Sequence, residues 1–154
     1  RIPEPTFSLI SLNEQARSVY SLTSIECRQR NIELSLSLTD NDQYIHVDGI
    51  QFEQVLVNII KNAYEAIGEN GRIKISTHHS PLSIIIEDNG PGISEEAKQK
   101  LFTPFFTTKS SGQGIGLMVV REGLTNHRCR FSLSTEEGYT RFKIFFPTAD
   151  GTYS

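Results

Sequence analysis

Asn58, Asn62 and Glu65 fall at i, i+4 and i+7 of a segment whose apolar residues recur with helical spacing, so the two amides and the carboxylate stack along one side of a helix, beside its apolar face. Asparagine is a poor helix former because its side chain competes for backbone hydrogen bonds. Two on one stripe are part of a solvated surface, buried amides satisfied by neighbouring backbone, or a set of ligands. Amide oxygens suit Mg²⁺, which takes oxygen donors in octahedral geometry and keeps phosphate oxygens and waters among them. A neutral amide also suits a metal whose charge a triphosphate already balances. Asn58 has no basic lone pair at neutral pH and cannot act as a general base toward water.

Asp88 ends an apolar run and precedes Asn-Gly-Pro-Gly. A carboxylate there is often a turn former. If withdrawn from water, it can instead accept a hydrogen bond from the exocyclic amine of adenine, and it would discriminate against guanine, which offers an acceptor at that position. Gly90 and Gly92 permit tight backbone and close ligand approach. Phe102, Phe105 and Phe106 surround Pro104, and Lys109 follows in a polar loop from which an ammonium can reach a phosphate as a point charge. Gly112, Gly114 and Gly116 then lead toward a helix expected to begin near Ile115, where successive backbone amides make an anion site. The glycine run neither follows a strand nor precedes Lys-Ser/Thr, so it is neither a dinucleotide fingerprint nor a P-loop.

The elements that must position these residues can be read from period and punctuation. A helix is expected from about Leu12 to Arg30, with Asn13 as a candidate cap. Ile32, Leu34, Leu36 and Leu38 alternate as a strand with one wet face. The helix bearing the asparagines runs from about Gly49 to Ile67 and stops at Gly-Glu-Asn-Gly. Strands follow at 73–77 and 83–88, then a short helix from Ser94 to Leu101, a helix to Asn126, and a hairpin of 130–135 with 139–146 turning at Glu137–Gly138. Strands paired as hairpins with helices left for one side imply an α+β two-layer sandwich, its mixed sheet mostly antiparallel. Regular strand–helix alternation, which a doubly wound sheet needs, is absent.

The 154 residues suit one domain with a sizeable core, and 37% apolar with 21% charged residues is ordinary globular composition. A net charge of −3 without a basic run argues against nucleic acid as a partner and requires any anion to be held by local features. Cys27 and Cys129 have no metal-ligand spacing and read as idle thiols. No apolar stretch approaches the ~20 residues of a membrane helix, so direct membrane contact is not expected.

Four segments, NIIKNAYEA (58–66), EDNGPGI (87–93), LFTPFFTTK (101–109) and GQGIGL (112–117), occur in an order and spacing that resembles the catalytic, ATP-binding domain of sensor histidine kinases. That family uses the Bergerat nucleotide-binding fold shared with gyrase, mismatch-repair and heat-shock ATPases. The resemblance implies ATP and Mg²⁺ as cofactors. It implies that Asn62 coordinates Mg²⁺ with Asn58 in support and Glu65 nearby. Asp88, Gly90, Gly92 and Ile93 would hold the base, with Thr140 assisting. Phe102, Thr108 and Lys109 would belong to a lid, and Gly112, Gly114, Ile115, Gly116 and Leu117 to the phosphate loop. Asn62, Lys109 and Asn58 would be the catalytic residues. In the related ATPases a glutamate stands where Asn58 does, so the resemblance favours phosphoryl transfer over hydrolysis; a non-catalytic ATP-sensing module is the alternative.

The acceptor of such a kinase is a histidine followed by Glu or Asp on a separate helical hairpin. His46, His78, His79 and His127 have no such context and read as structural or surface residues, with His127 suited as a cation to a helix C-terminus. Residues 1–12 are therefore expected as a linker from a missing dimerisation and phosphoacceptor hairpin, 13–147 as the kinase domain and 148–154 as a flexible tail. The implied partners are that hairpin, from the same or a partner subunit, and a downstream response regulator. The implied location is cytoplasmic, as the inner part of a membrane-bound sensor where the whole protein is one. The segment HRCRF departs from the His-Gly-Gly usual in relatives.

Overall fold

The computed structural model describes residues 3–92, 94–102 and 112–147. Strand β1 (Ser8–Ser11) leads into helix α1 (Leu12–Gln29), followed by β2 (Ile32–Ser37), β3 (Tyr44–Val47), α2 (Gly49–Ile67), β4 (Gly71–His78), β5 (Ser83–Asp88), α3 (Glu95–Phe102), α4 (Gly112–Asn126), β6 (Arg130–Glu136) and β7 (Tyr139–Phe145). Five strands form one sheet in the order β2-β4-β5-β7-β6, with β2 parallel to β4 and the other pairs antiparallel. β1 and β3 form a separate antiparallel pair.

Alternation sets the layers. Ile73 and Ile75 on β4, Ile84 and Ile86 on β5, and Phe142 and Ile144 on β7 all face the core, where Phe52, Val55, Leu56 and Ile60 of α2 and Leu117, Val120 and Leu124 of α4 meet them. The other sheet face is polar, with Glu87 and Arg141 paired across β5 and β7 at 2.8 Å. This is the expected α+β two-layer sandwich with helices on one face of a mostly antiparallel sheet. The final hairpin turns at Glu137 and Gly138, with φ of 54° and 81°, the double left-handed conformation of a tight two-residue turn.

Three local expectations differ from what is observed. Ser11, not Asn13, caps α1: its φ/ψ of −62°/128° are extended and its hydroxyl accepts from the Glu14 amide at 3.1 Å. Asn13 is buried and bridges the Thr39 carbonyl (3.0 Å) and the Thr77 hydroxyl (2.6 Å), tying α1 to β4. α4 begins at Gly112, so Gly112, Gly114 and Gly116 lie within its first turns rather than in a preceding loop. His127 is not a cation at a helix end. It is 4% exposed, and its Nε2 accepts the Asp48 N–H at 3.1 Å while Nδ1–H donates to the Gly123 carbonyl at 2.8 Å, which requires the neutral ring.

α2 and α4 approach so closely that a Cβ added to Gly123 would stand 2.2 Å from Val55 Cγ2. Valine in a helix is held at one χ1 rotamer and cannot turn aside. Gly123→Ala is expected to cost about 1–3 kcal/mol through overpacking and to lower the thermal midpoint by several degrees, and adding Val55→Ala should recover part of the loss. An unchanged midpoint in circular dichroism melting of Gly123→Ala would contradict the close packing of these helices.

Candidate functional site

Asp88 is the last residue of β5, in register with Ile73 on β4 and Thr140 on β7. Thr140 is in turn paired with Thr135 on β6, and the two hydroxyls lie 3.3 Å apart. A row Ile73–Asp88–Thr140–Thr135 thus crosses the sheet at one end, and alternation along β5 puts Asp88 on the helix-covered side with Ile84 and Ile86. Asp88 Oδ1 accepts the Gly90 N–H at 2.8 Å, and its second oxygen has no partner among the described residues. Burial holds the Asp88 carboxyl above the usual carboxylate range; the Gly90 N–H opposes that shift and the Glu87 charge adds to it.

The loop after Asp88 is fixed from both sides. Asn89 accepts the Arg72 N–H at 2.7 Å through Oδ1 and donates its own N–H to the Arg72 carbonyl at 3.2 Å. A Cβ at Gly90 would meet Ile67 Cγ1 at 2.9 Å and Asp88 Oδ1 at 3.0 Å, so the end of α2 closes directly on this loop. Gly92 has φ of 91°, open to glycine and strained for other residues, and passes the Thr135 and Thr140 hydroxyls.

α2 begins at an Asp48 cap and carries the asparagine stripe. Asn58 and Asn62 are half-buried and Glu65 is exposed. Asn58 Nδ2 donates to the Gln54 carbonyl one turn back at 2.8 Å, whereas the Asn62 amide has no hydrogen-bond partner among the described residues. α4 packs on α2 at Gly123 and Val55. Because α4 starts at Gly112, the amides of Gly112, Gln113 and Gly114 are among those an α-helix leaves without internal acceptors. Leu117 is buried and joins the core.

The sheet end therefore gathers Asp88, Gly90, Gly92 and Thr140, and the C-terminal end of α2 adjoins them. Phe102 ends α3. Ile93, Thr108 and Lys109, together with Pro104, Phe105 and Phe106 of the expected lid, lie outside the described residues. Thr135, Asn89 and Ile67 border the Asp88 loop without having been singled out in the sequence. Thr135 was within reach, because a two-residue turn at Glu137–Gly138 fixes its pairing with Thr140.

A family model described as histidine kinase-, DNA gyrase B-, and HSP90-like ATPase matches residues 47–150. The chain is 32% identical over 141 residues to the sensor histidine kinase ZraS of Escherichia coli (strain K12), a match covering 90% of this chain and 30% of that protein. The solved catalytic domain of histidine kinase ThkA superposes with a TM-score of 0.77 at 36% identity, covering 92% of this chain and 95% of that one. ThkA in complex with the response regulator protein TrrA superposes with a TM-score of 0.71 at 32% identity over 93% of this chain and 42% of that one. The chain spans about 30% of the length of the curated relatives it matches. It belongs to the histidine kinase-, DNA gyrase B-, and HSP90-like ATPase family, as an ATP-binding catalytic domain of the histidine kinase type.

Proposed function

We propose that this domain binds Mg²⁺-ATP between the Asp88 loop, α2 and the start of α4, and transfers the γ-phosphoryl group to a histidine on a separate helical hairpin. The supporting observation is Asp88: a carboxylate drawn partly out of water, one oxygen held by the Gly90 amide and the other without a partner among the described residues. Such a group is poised to accept from an amine donor, and the exocyclic amine of adenine is the donor that fits. Thr140 stands beside it in register, and Gly92 passes over the threonine pair, so the base edge meets a carboxylate, hydroxyls and open backbone.

The residues present fit Mg²⁺ in the form this chemistry requires. Among the described residues no cluster of three His, Cys, Asp or Glu side chains could hold a metal alone. A site completed by phosphate oxygens and waters needs only a neutral oxygen donor from the protein, and the Asn62 amide is unengaged among the described residues. The ion, when bound, supplies charge neutralisation on the phosphates. The open amides of Gly112, Gln113 and Gly114 would face phosphate oxygens at the positive end of α4. Lys109 would add a point charge, and Phe102, Thr108 and Ile93 would enclose the nucleotide. Asn58, with its amide nitrogen committed to Gln54, would support the position of Asn62.

Phosphoryl transfer of this kind depends on positioning and electrostatic stabilisation more than on proton chemistry by the protein. Asn58 stands where a hydrolytic enzyme would place a carboxylate to activate water, so transfer to an external acceptor is favoured over hydrolysis. The acceptor histidine, the response regulator it feeds and the placement of the whole protein in the cell belong to the same proposal. Among the described residues no helix is long and apolar enough to cross a membrane.

Titration of the non-hydrolysable analogue AMP-PNP with Mg²⁺ against the parent and Asp88→Asn tests the base contact. The variant is expected to bind at least about tenfold more weakly; equal affinity removes Asp88 from the site. Asn62→Ala should lose most of the gain in affinity that Mg²⁺ gives the parent while retaining the Mg²⁺-free affinity, and an undiminished gain would rule Asn62 out as a ligand.

The raised Asp88 carboxyl makes a separate prediction for the nucleotide-free domain. The folded state holds this proton more tightly than the unfolded chain, so stability from this group is highest at low pH and falls as pH rises from the ordinary carboxylate range through the raised one. Asp88→Asn should therefore melt at a higher temperature than the parent at pH 7, with the difference shrinking as the pH is lowered. A variant that melts below the parent at pH 7 would contradict a desolvated carboxylate.

A further inference from the structure

Three chain segments distant in sequence meet at the ring of His127, at the end of α4. The first is the start of α2. The Asp48 N–H donates to Nε2 at 3.1 Å, and the Asp48 carboxylate caps α2 through the amides of Ile50 and Gln51, both at 3.1 Å. The second is α4 itself, whose Gly123 carbonyl accepts from Nδ1–H at 2.8 Å. The third is the entry segment. The Thr6 N–H donates to the other Asp48 oxygen at 2.8 Å, Gln51 Nε2 donates to the Pro3 carbonyl at 2.8 Å, and Phe7 stands edge-on to the His127 ring at 5.4 Å. Phe52 closes the opposite side at 5.4 Å.

The ring uses both nitrogens, is sealed between two phenyl groups and takes part in none of the nucleotide contacts proposed above. Its bonds join the two helices that would carry those contacts: α2 with Asn58 and Asn62, and α4 with the open amides at its start. A packed helix moves as a unit, so a change at the capped end of α2 or the end of α4 reaches the far end.

We propose that His127 is a positioning residue for the nucleotide site: it locks the start of α2 to the end of α4 and, through Asp48, locks residues 3–7 to both, so that docking of the entry segment and nucleotide binding are coupled. This rests on the nucleotide reading given above. Coupling of this kind is reciprocal: nucleotide tightens the entry segment, and loss of the entry contacts weakens nucleotide.

The roles of the two ring nitrogens can be separated by substitution. His127→Gln can keep an acceptor near the Nε2 position for the Asp48 N–H. His127→Asn can keep a donor near the Nδ1 position for the Gly123 carbonyl but withdraws from Asp48. Thr6→Pro deletes one N–H donor to Asp48 and leaves His127 untouched.

The test is AMP-PNP with Mg²⁺ added to the ¹⁵N-labelled chain, following the Thr6 and Asp48 amide resonances and the dissociation constant together. Both amides should shift at saturation in the parent and in His127→Gln. In His127→Asn both should stay in place, and binding should weaken roughly fivefold, as for loss of one buried hydrogen bond. Thr6→Pro should also weaken binding roughly fivefold and tests the coupling if His127→Asn does not fold. A parent that binds the analogue with both amides unmoved, or a folded His127→Asn or Thr6→Pro that binds with parent affinity, overturns this inference and leaves the nucleotide reading standing. A parent that does not bind the analogue overturns the nucleotide reading, and the coupling with it.

Discussion

Asp88 is withdrawn from water at a cost to the nucleotide-free fold, and much of the surrounding geometry follows from keeping it there. The apolar run of β5 carries it to the helix-covered side of the sheet. The Gly90 amide satisfies one of its oxygens and so keeps the charged form within reach despite burial. Gly90 has to be glycine because Ile67 of α2 and the carboxylate itself fill the space a Cβ would take. The pairing of β5 with β7 then sets Thr140 opposite Asp88, and the β6–β7 hairpin adds Thr135. A single desolvated carboxylate thereby draws on three strands, one loop and the end of one helix.

The second constraint is the contact between α2 and α4. Asn62 sits on the first helix and the open amides begin the second, so their relative placement fixes where a metal and a phosphate chain could lie. Gly123 lets the helices meet over Val55, and Leu117, Val120 and Leu124 bury the rest of the seam. An asparagine in mid-helix and a glycine-rich helix start are each unfavourable for helix stability. Tertiary burial of Phe52, Val55, Leu56 and Ile60 offsets that, which is how a site with poor local propensity persists in a well-packed domain.

The fold was largely legible because its strongest signals are periodic. α2 runs from Gly49 to Ile67 as its apolar face requires, and the isoleucines of β4 and β5 announce a buried sheet. Where sequence reading fell short, a longer-range partner decided. Tyr-Ile-His-Val is only four residues long and becomes β3 because β1 pairs with it. Asn13 looks like a helix cap, but its amide is claimed by Thr39 and Thr77, so the neighbouring serine takes that role. The glycines at 112, 114 and 116 read locally as loop, yet their backbone is helical within a helix whose later turns pack on α2. His127 reads as a cation at a helix end, and only the fold reveals that Asp48, seventy-nine residues away, donates to it. For the site, the structure places Asp88, Gly90, Gly92 and Thr140 together at one sheet end. Thr135 and Ile67 had no motif to mark them, because their place depends on register and on helix–sheet packing.

Adenine selectivity at Asp88 is the claim on which the functional reading rests most heavily, and it can be measured without any substitution. The dissociation constants of AMP-PNP and GMP-PNP, each with Mg²⁺, should be compared on the unmodified chain by calorimetry. A carboxylate that accepts from the adenine amine predicts AMP-PNP binding at least about tenfold tighter than GMP-PNP, because guanine would set a carbonyl oxygen against Asp88 and leave both groups unpaired. Equal affinity for the two nucleotides would contradict it.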